Sequence, residues 1–276
     1  MTPTLVRHHL PHAAAPPRVD PCARARDWAE IQERMLVPLY EAVYERLEVG
    51  AGTRVLGLRC GTGLALLMAA SRGAAVTGVD SSSPERVALA RERLLPDGWG
   101  TRARADARIV EGSPSDLADP AAAAYTLVTA FEPIGRAPGD AEELGELLSA
   151  ATPLAGRGAA VVLVGWGPPE RCATSAVLPG GGGCGQAPRR DDLEEVAQRA
   201  GLRPDGSGRV ACPFGYADVE SAVRGLLSTG LFDAAVGATD VVQVGKELTE
   251  ALHPYQRADG TVWMPNVFRY LIARTG

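Results

Sequence analysis

The sequence predicts an α/β fold built on a mostly parallel, doubly wound sheet. Three observations carry this expectation. From Thr53 onward, short apolar runs alternate with longer stretches of helical period. The first run leads into a glycine-containing turn, Cys60-Gly61-Thr62-Gly63, and the second ends on an acid, Asp80. Residues 159–164 are purely apolar, the composition of a central strand covered on both faces.

In chain order, residues 1–22 read as a flexible tail, because proline and alanine recur there without a period. Asp27 is placed to cap helices over 27–48, where Trp28, Ile31, Met35, Leu36, Leu39, Tyr40, Val43 and Leu47 recur at helical spacing. Pro38 implies a kink or a fresh start within them. Strands are expected at 53–58, 75–79, 108–110, 125–130 and 159–164, from their apolar and β-branched content. Helices are expected between them at 64–71, 84–95 and 141–151, the second opened by Pro84, where a missing N–H costs nothing. Residues 179–188 contain a four-glycine run and read as a loop. A helix at 191–200, a strand at 209–212, helices at 217–228 and 239–252, and a final strand at 266–274 complete the pattern. Residues 23–276 thus form one domain, with a helical lid inserted at about 214–262.

Bulk composition excludes several function classes. The chain has 276 residues and a net charge of −5 without a concentrated basic block, which argues against nucleic acid as a partner. No apolar run approaches the roughly 18 residues needed to cross a bilayer, so no membrane partner is expected. The N-terminal stretch is broken by prolines and lacks the apolar segment of a secretory signal. Cys22, Cys60, Cys172, Cys184 and Cys212 are odd in number and form no Cys-x-x-Cys pair. That pattern favours a reducing cytoplasm over a disulfide framework, and no metal site is expected. His8, His9 and His12 lack carboxylate partners and a fixed scaffold, so they read as solvated tail.

The sequence Val55-Leu56-Gly57-Leu58-Arg59-Cys60-Gly61-Thr62-Gly63, with Asp80 about 17 residues further on and Ser81 after it, resembles the class I S-adenosylmethionine (SAM) dependent methyltransferases, specifically the bacterial group acting on small molecules. The resemblance covers about 28–275 and includes Val164-Gly165-Trp166-Gly167-Pro168-Pro169-Glu170 after the fifth strand. It implies a Rossmann-like seven-stranded sheet whose last strand is antiparallel. It also implies that Cys60, Gly61, Thr62, Gly63, Asp80, Ser81 and Ser113 surround the cofactor, with Asp80 on the ribose hydroxyls.

The chain departs from that family in three places. Gly57 stands where the family has an acid that answers the amino group of SAM. Arg59 stands where the family has a glycine, and a long cation there opposes the positive sulfonium. Gly112-Ser113 stands where the family often has Gly-Asp, leaving Asp116 or Glu111 as substitutes. Arg59 either disrupts the SAM site and acts as a replacement ligand, or swings outward to pair with Asp80 or Glu85.

Glu132, at the end of the fourth strand, is the candidate acid, base or polar anchor; His253 and Tyr216 are further catalytic candidates. His253 also fits a plain dipole-stabilising role at a helix end. Tyr216, Tyr255, Trp263 and Tyr270 are candidate walls for a small, mostly apolar organic substrate. Three functions follow as expectations. One is a methyltransferase-like enzyme repurposed for SAM-independent cyclisation or isomerisation of a natural-product intermediate. The others are a working SAM-dependent methyltransferase and a non-catalytic binding protein. A homodimer is compatible with each.

Overall fold

A computed structural model describes residues 20–95, 107–117, 123–136, 139–178 and 192–276. The histidines of the tail, Cys184 and the loop expected at 179–188 lie outside the described residues.

The chain enters through helix α1 (Pro21–Asp27), with Pro21 in the first turn and Asp20 accepting a 3.0 Å hydrogen bond from the Cys22 amide. The helical run therefore starts before Asp27. Asp27 makes no capping bond and instead pairs with Arg224. A π-helical turn (Trp28–Gln32) and a 3₁₀ turn (Glu33–Leu36) follow, and α2 (Val37–Arg46) restarts with Pro38 in its first turn, the fresh start that a proline requires.

The alternating part then unrolls as β1 (Arg54–Leu58), α3 (Leu64–Ser71), β2 (Ala75–Asp80), α4 (Pro84–Leu94), β3 (Ala107–Glu111), β4 (Tyr125–Ile134), α5 (Asp140–Ala151) and β5 (Ala155–Trp166). A short helix α6 (Thr174–Val177), α7 (Asp192–Arg199) and β6 (Arg203–Ala211) come next. The insertion holds β7 (Phe214–Tyr216), α8 (Val219–Ser228), α9 (Asp233–Ala238), α10 (Val241–Leu252) and β8 (Val262–Met264), before the final strand β9 (Val267–Arg274).

The sheet order is β3-β2-β1-β4-β5-β9-β6. Strands β1 to β5 run parallel, and β9 is antiparallel to both β5 and β6, so six strands share a direction and the last opposes them. Strand β6 begins six residues before the expected 209, because Pro204, Gly206 and Gly208 hide it from propensity reasoning; an edge strand tolerates them. The insertion is clipped at its base by the antiparallel pair β7–β8, too short to read from sequence. One core layer packs α2, α3, α4 and the insertion on one face of the sheet, and a second packs α5 and α7 on the other.

Candidate functional site

In an open α/β sheet the ligand crevice lies beyond the carboxyl ends of the strands. Here the loop after β1 turns through Arg59, Gly61 and Gly63, all with positive φ (46°, 55° and 79°). Glycine tolerates that region; for arginine it is strained. The Arg59 side chain reaches to the end of β4, where its guanidinium lies 3.2 Å from Glu132, and it also pairs with Glu143 on α5. Burial opposes its charge, and the two carboxylates outweigh burial, raising its pKa.

The floor of the loop is tied to the protein itself. Asp80 is 3% exposed and accepts from Gly61 N at 3.0 Å through one oxygen. Its other oxygen accepts from Ser82 N at 2.8 Å and Ser82 Oγ at 2.6 Å. From above, Glu33 accepts from Thr62 Oγ1, from Leu64 N at 3.3 Å and from Arg93 at 2.7 Å, capping α3 from outside its own helix. The Trp28 indole faces Gly61, and Arg86 lies over its ring at 4.4 Å while donating to Ser228 O at 2.7 Å. The space left over the loop is about 40 Å³.

Beside it opens a larger cleft of about 250 Å³. Trp28, Leu36, Trp166, Phe214, Phe268 and Leu231 form its apolar wall, while Arg59, Glu132, Glu143, Asp140 and Gln32 supply polar edges. Trp166 packs on Phe268 at 4.6 Å and on Phe214 at 6.2 Å between centroids. The N-terminal segment and the insertion both line this cleft and are joined by the Arg24–Asp233 and Arg224–Asp27 pairs.

Solved structures share the fold. A SAM-dependent methyltransferase from Thiobacillus denitrificans, in complex with S-adenosyl-L-homocysteine, is 18% identical with a TM-score of 0.50, covering 88% of this chain and 92% of its own. The chain has the class I methyltransferase fold. YjhP from Escherichia coli (20% identity, TM-score 0.52, 92% of this chain and 99% of that one) carries the same fold. So does the [4+2]-cyclase SpnF (16%, TM-score 0.52, 86% of this chain and 80% of that one). No protein-family model matches the chain, and no curated protein does.

The methyltransferase fold implies SAM, and the residues present do not fit it. About 40 Å³ over the loop holds little more than a water molecule or two, a small fraction of the 250 Å³ cleft beside it. Asp80, the expected ribose ligand, is buried with both oxygens engaged by the loop and Ser82. Gly57 offers no acid, and an added Cβ there meets Leu66 Cδ2 at 3.0 Å.

The other candidate residues separate into groups. Cys60 and Gly61 line the small space, and Cys60 has its thiol pushed up to about 12, first by burial and then by Asp80 and Glu33. Thr62 is wholly buried beneath Glu33, and Gly63 starts α3. Ser81 is exposed, and the Ser113 backbone N–H donates to Asp116 Oδ2 at 2.7 Å. Glu132 does border the large cleft. Tyr216 is buried behind it, with its hydroxyl donating to Gln32 at 2.8 Å. His253 is exposed at the end of α10 and borders neither space. Tyr270 belongs to the sheet core, and Trp263 is 41% exposed under Arg257. Arg59 pairs with carboxylates, but with Glu132 and Glu143 rather than Asp80 or Glu85.

Sequence reasoning missed Gln32, Glu33, Phe214 and Phe268. A signal existed for Gln32: it stands four residues after Trp28 and four before Leu36, a polar residue on the apolar face.

Proposed function

We propose that this chain is a methyltransferase-fold enzyme that binds a small, mostly apolar natural-product intermediate and promotes its cyclisation or isomerisation without SAM. One observation carries the reading: Trp28, Glu33 and Arg86 occupy the ground above the glycine loop, while an aromatic cleft of about 250 Å³ remains open beside it. Such a cleft restricts a flexible substrate to compact conformers near the reacting geometry. The Arg59–Glu132 pair presents a donor and an acceptor fixed at one end, where charge developing on the substrate meets preorganised dipoles.

The second reading, a SAM-dependent methyltransferase, draws support from the Thiobacillus neighbour solved with S-adenosyl-L-homocysteine. It requires residues 28–36 to leave the loop. Calorimetric titration with SAM and with S-adenosyl-L-homocysteine separates the two. The expected result is no saturable heat at millimolar ligand, for the natural chain and for Gly57→Asp/Arg59→Gly alike, since Trp28 and Glu33 remain in place. A micromolar dissociation constant for the natural chain sinks the proposal.

A further inference from the structure

Within the large cleft, one buried polar side chain is left half used. Gln32 ends the π-helical turn and is 2% exposed, yet it lines the cleft. A wide π turn of this kind re-aims side chains and is frequent at functional sites. Its Oε1 accepts from Tyr216 Oη at 2.8 Å, a bond whose donor comes from β7, 184 positions away. That bond fixes the carboxamide plane. The Nε2 group has no hydrogen-bond partner among the described residues and, unlike Trp28 Nε1, is not sealed off, so it is open to the cleft. Water meets such a donor at the wall of an apolar cleft, and a ligand acceptor that enters there takes the place of that water.

We infer that Gln32 Nε2 donates to a carbonyl oxygen of the substrate, making the cleft selective for apolar molecules that carry one neutral carbonyl. This rests on the proposed reading of the cleft as a SAM-independent substrate site. The apolar body lies against Trp28, Trp166, Phe214 and Phe268, and the carbonyl turns towards Gln32. Tyr216 is a positioning residue: it touches no ligand and holds the amide in its plane. Donation to a carbonyl withdraws electron density from any conjugated carbon framework, the polarisation that an intramolecular ring closure or double-bond shift exploits. No bond to the protein forms and no proton is lost from Gln32.

The test uses the full chain and two probes of matched shape, benzophenone and diphenylmethane, which differ in the carbonyl alone. Their dissociation constants are measured by protein-observed NMR for the natural chain and for Gln32→Leu. The preference for benzophenone is expected to fall about fivefold in the variant, the size of one net hydrogen bond. The infrared carbonyl band of bound benzophenone is expected at lower frequency in the natural chain than in the variant. Tyr216→Phe, which removes one hydroxyl, is expected to give an intermediate preference. If both probes bind with an unchanged ratio, the carbonyl assignment falls and the cleft reading stands. If neither probe binds the natural chain, both fall. An unshifted band in the natural chain overturns the assignment even where Gln32→Leu does not fold.

Discussion

Arg59 and Glu132 join the ends of β1 and β4 through a 3.2 Å ion pair, made by an arginine whose φ is 46°. The backbone strain and the pair belong together, because the left-handed conformation sends the side chain across the crevice mouth.

The strain is separable from the pairing by two substitutions. Arg59→Ala loses the pairs with Glu132 and Glu143 and keeps a Cβ in the left-handed region; Arg59→Gly loses the pairs and the strain together. The glycine variant is expected to be the more stable of the two by about 1 kcal/mol in urea unfolding. Equal stability, or a more stable alanine variant, removes the argument for strain.

Glu33 holds the N-terminal segment on the glycine loop through Thr62, Leu64 N and Arg93. Glu33→Ala removes the carboxylate from Arg93, which keeps Thr62 O at 2.9 Å and Thr62 Oγ1 at 3.1 Å as acceptors. The expected cost is roughly 1.5–3 kcal/mol, that of a hydrogen bond to a charged group, with faster amide exchange across residues 28–36. Unchanged exchange there contradicts a clamping role for this carboxylate.

A part-buried thiol, Cys60, and a buried one, Cys212, set a limit at alkaline pH. Burial pushes the thiols of Cys60 and Cys212 up to about 12, whereas an unfolded thiol titrates near 8.5. Above that value the unfolded chain binds fewer protons than the folded one, so stability falls as pH rises towards 12. The loss approaches about 1.4 kcal/mol per pH unit for each thiol. Urea unfolding between about pH 8 and about pH 10.5 is expected to show a shallower decline for Cys60→Ala/Cys212→Ala than for the natural chain. Parallel declines contradict it. At neutral pH the exposed Cys22 is expected to alkylate well before Cys60.

How much of this was readable beforehand depends on the range of the interaction. The strands β1, β2 and β5 and the helices α3, α4 and α5 were legible because local period, turn glycines and N-terminal prolines act within a few residues. Strand β6 was only partly legible, since its edge position excuses Pro204, Gly206 and Gly208 from the usual rules. The small pair β7–β8 carried no local signal, being held by register with a partner strand on the far side of the insertion.

The sequence by itself determined the alternating sheet, the place of the glycine loop and the anomaly at Gly57 and Arg59, because each is written in neighbouring residues. Tertiary structure decided the rest. Arg59 finds its carboxylates 73 and 84 positions away, and Gln32 is aimed by a tyrosine 184 positions away. Which of several acids answers a cation, and which polar residue on an apolar helical face looks into a cavity, depends on packing between distant segments. No local period encodes that choice.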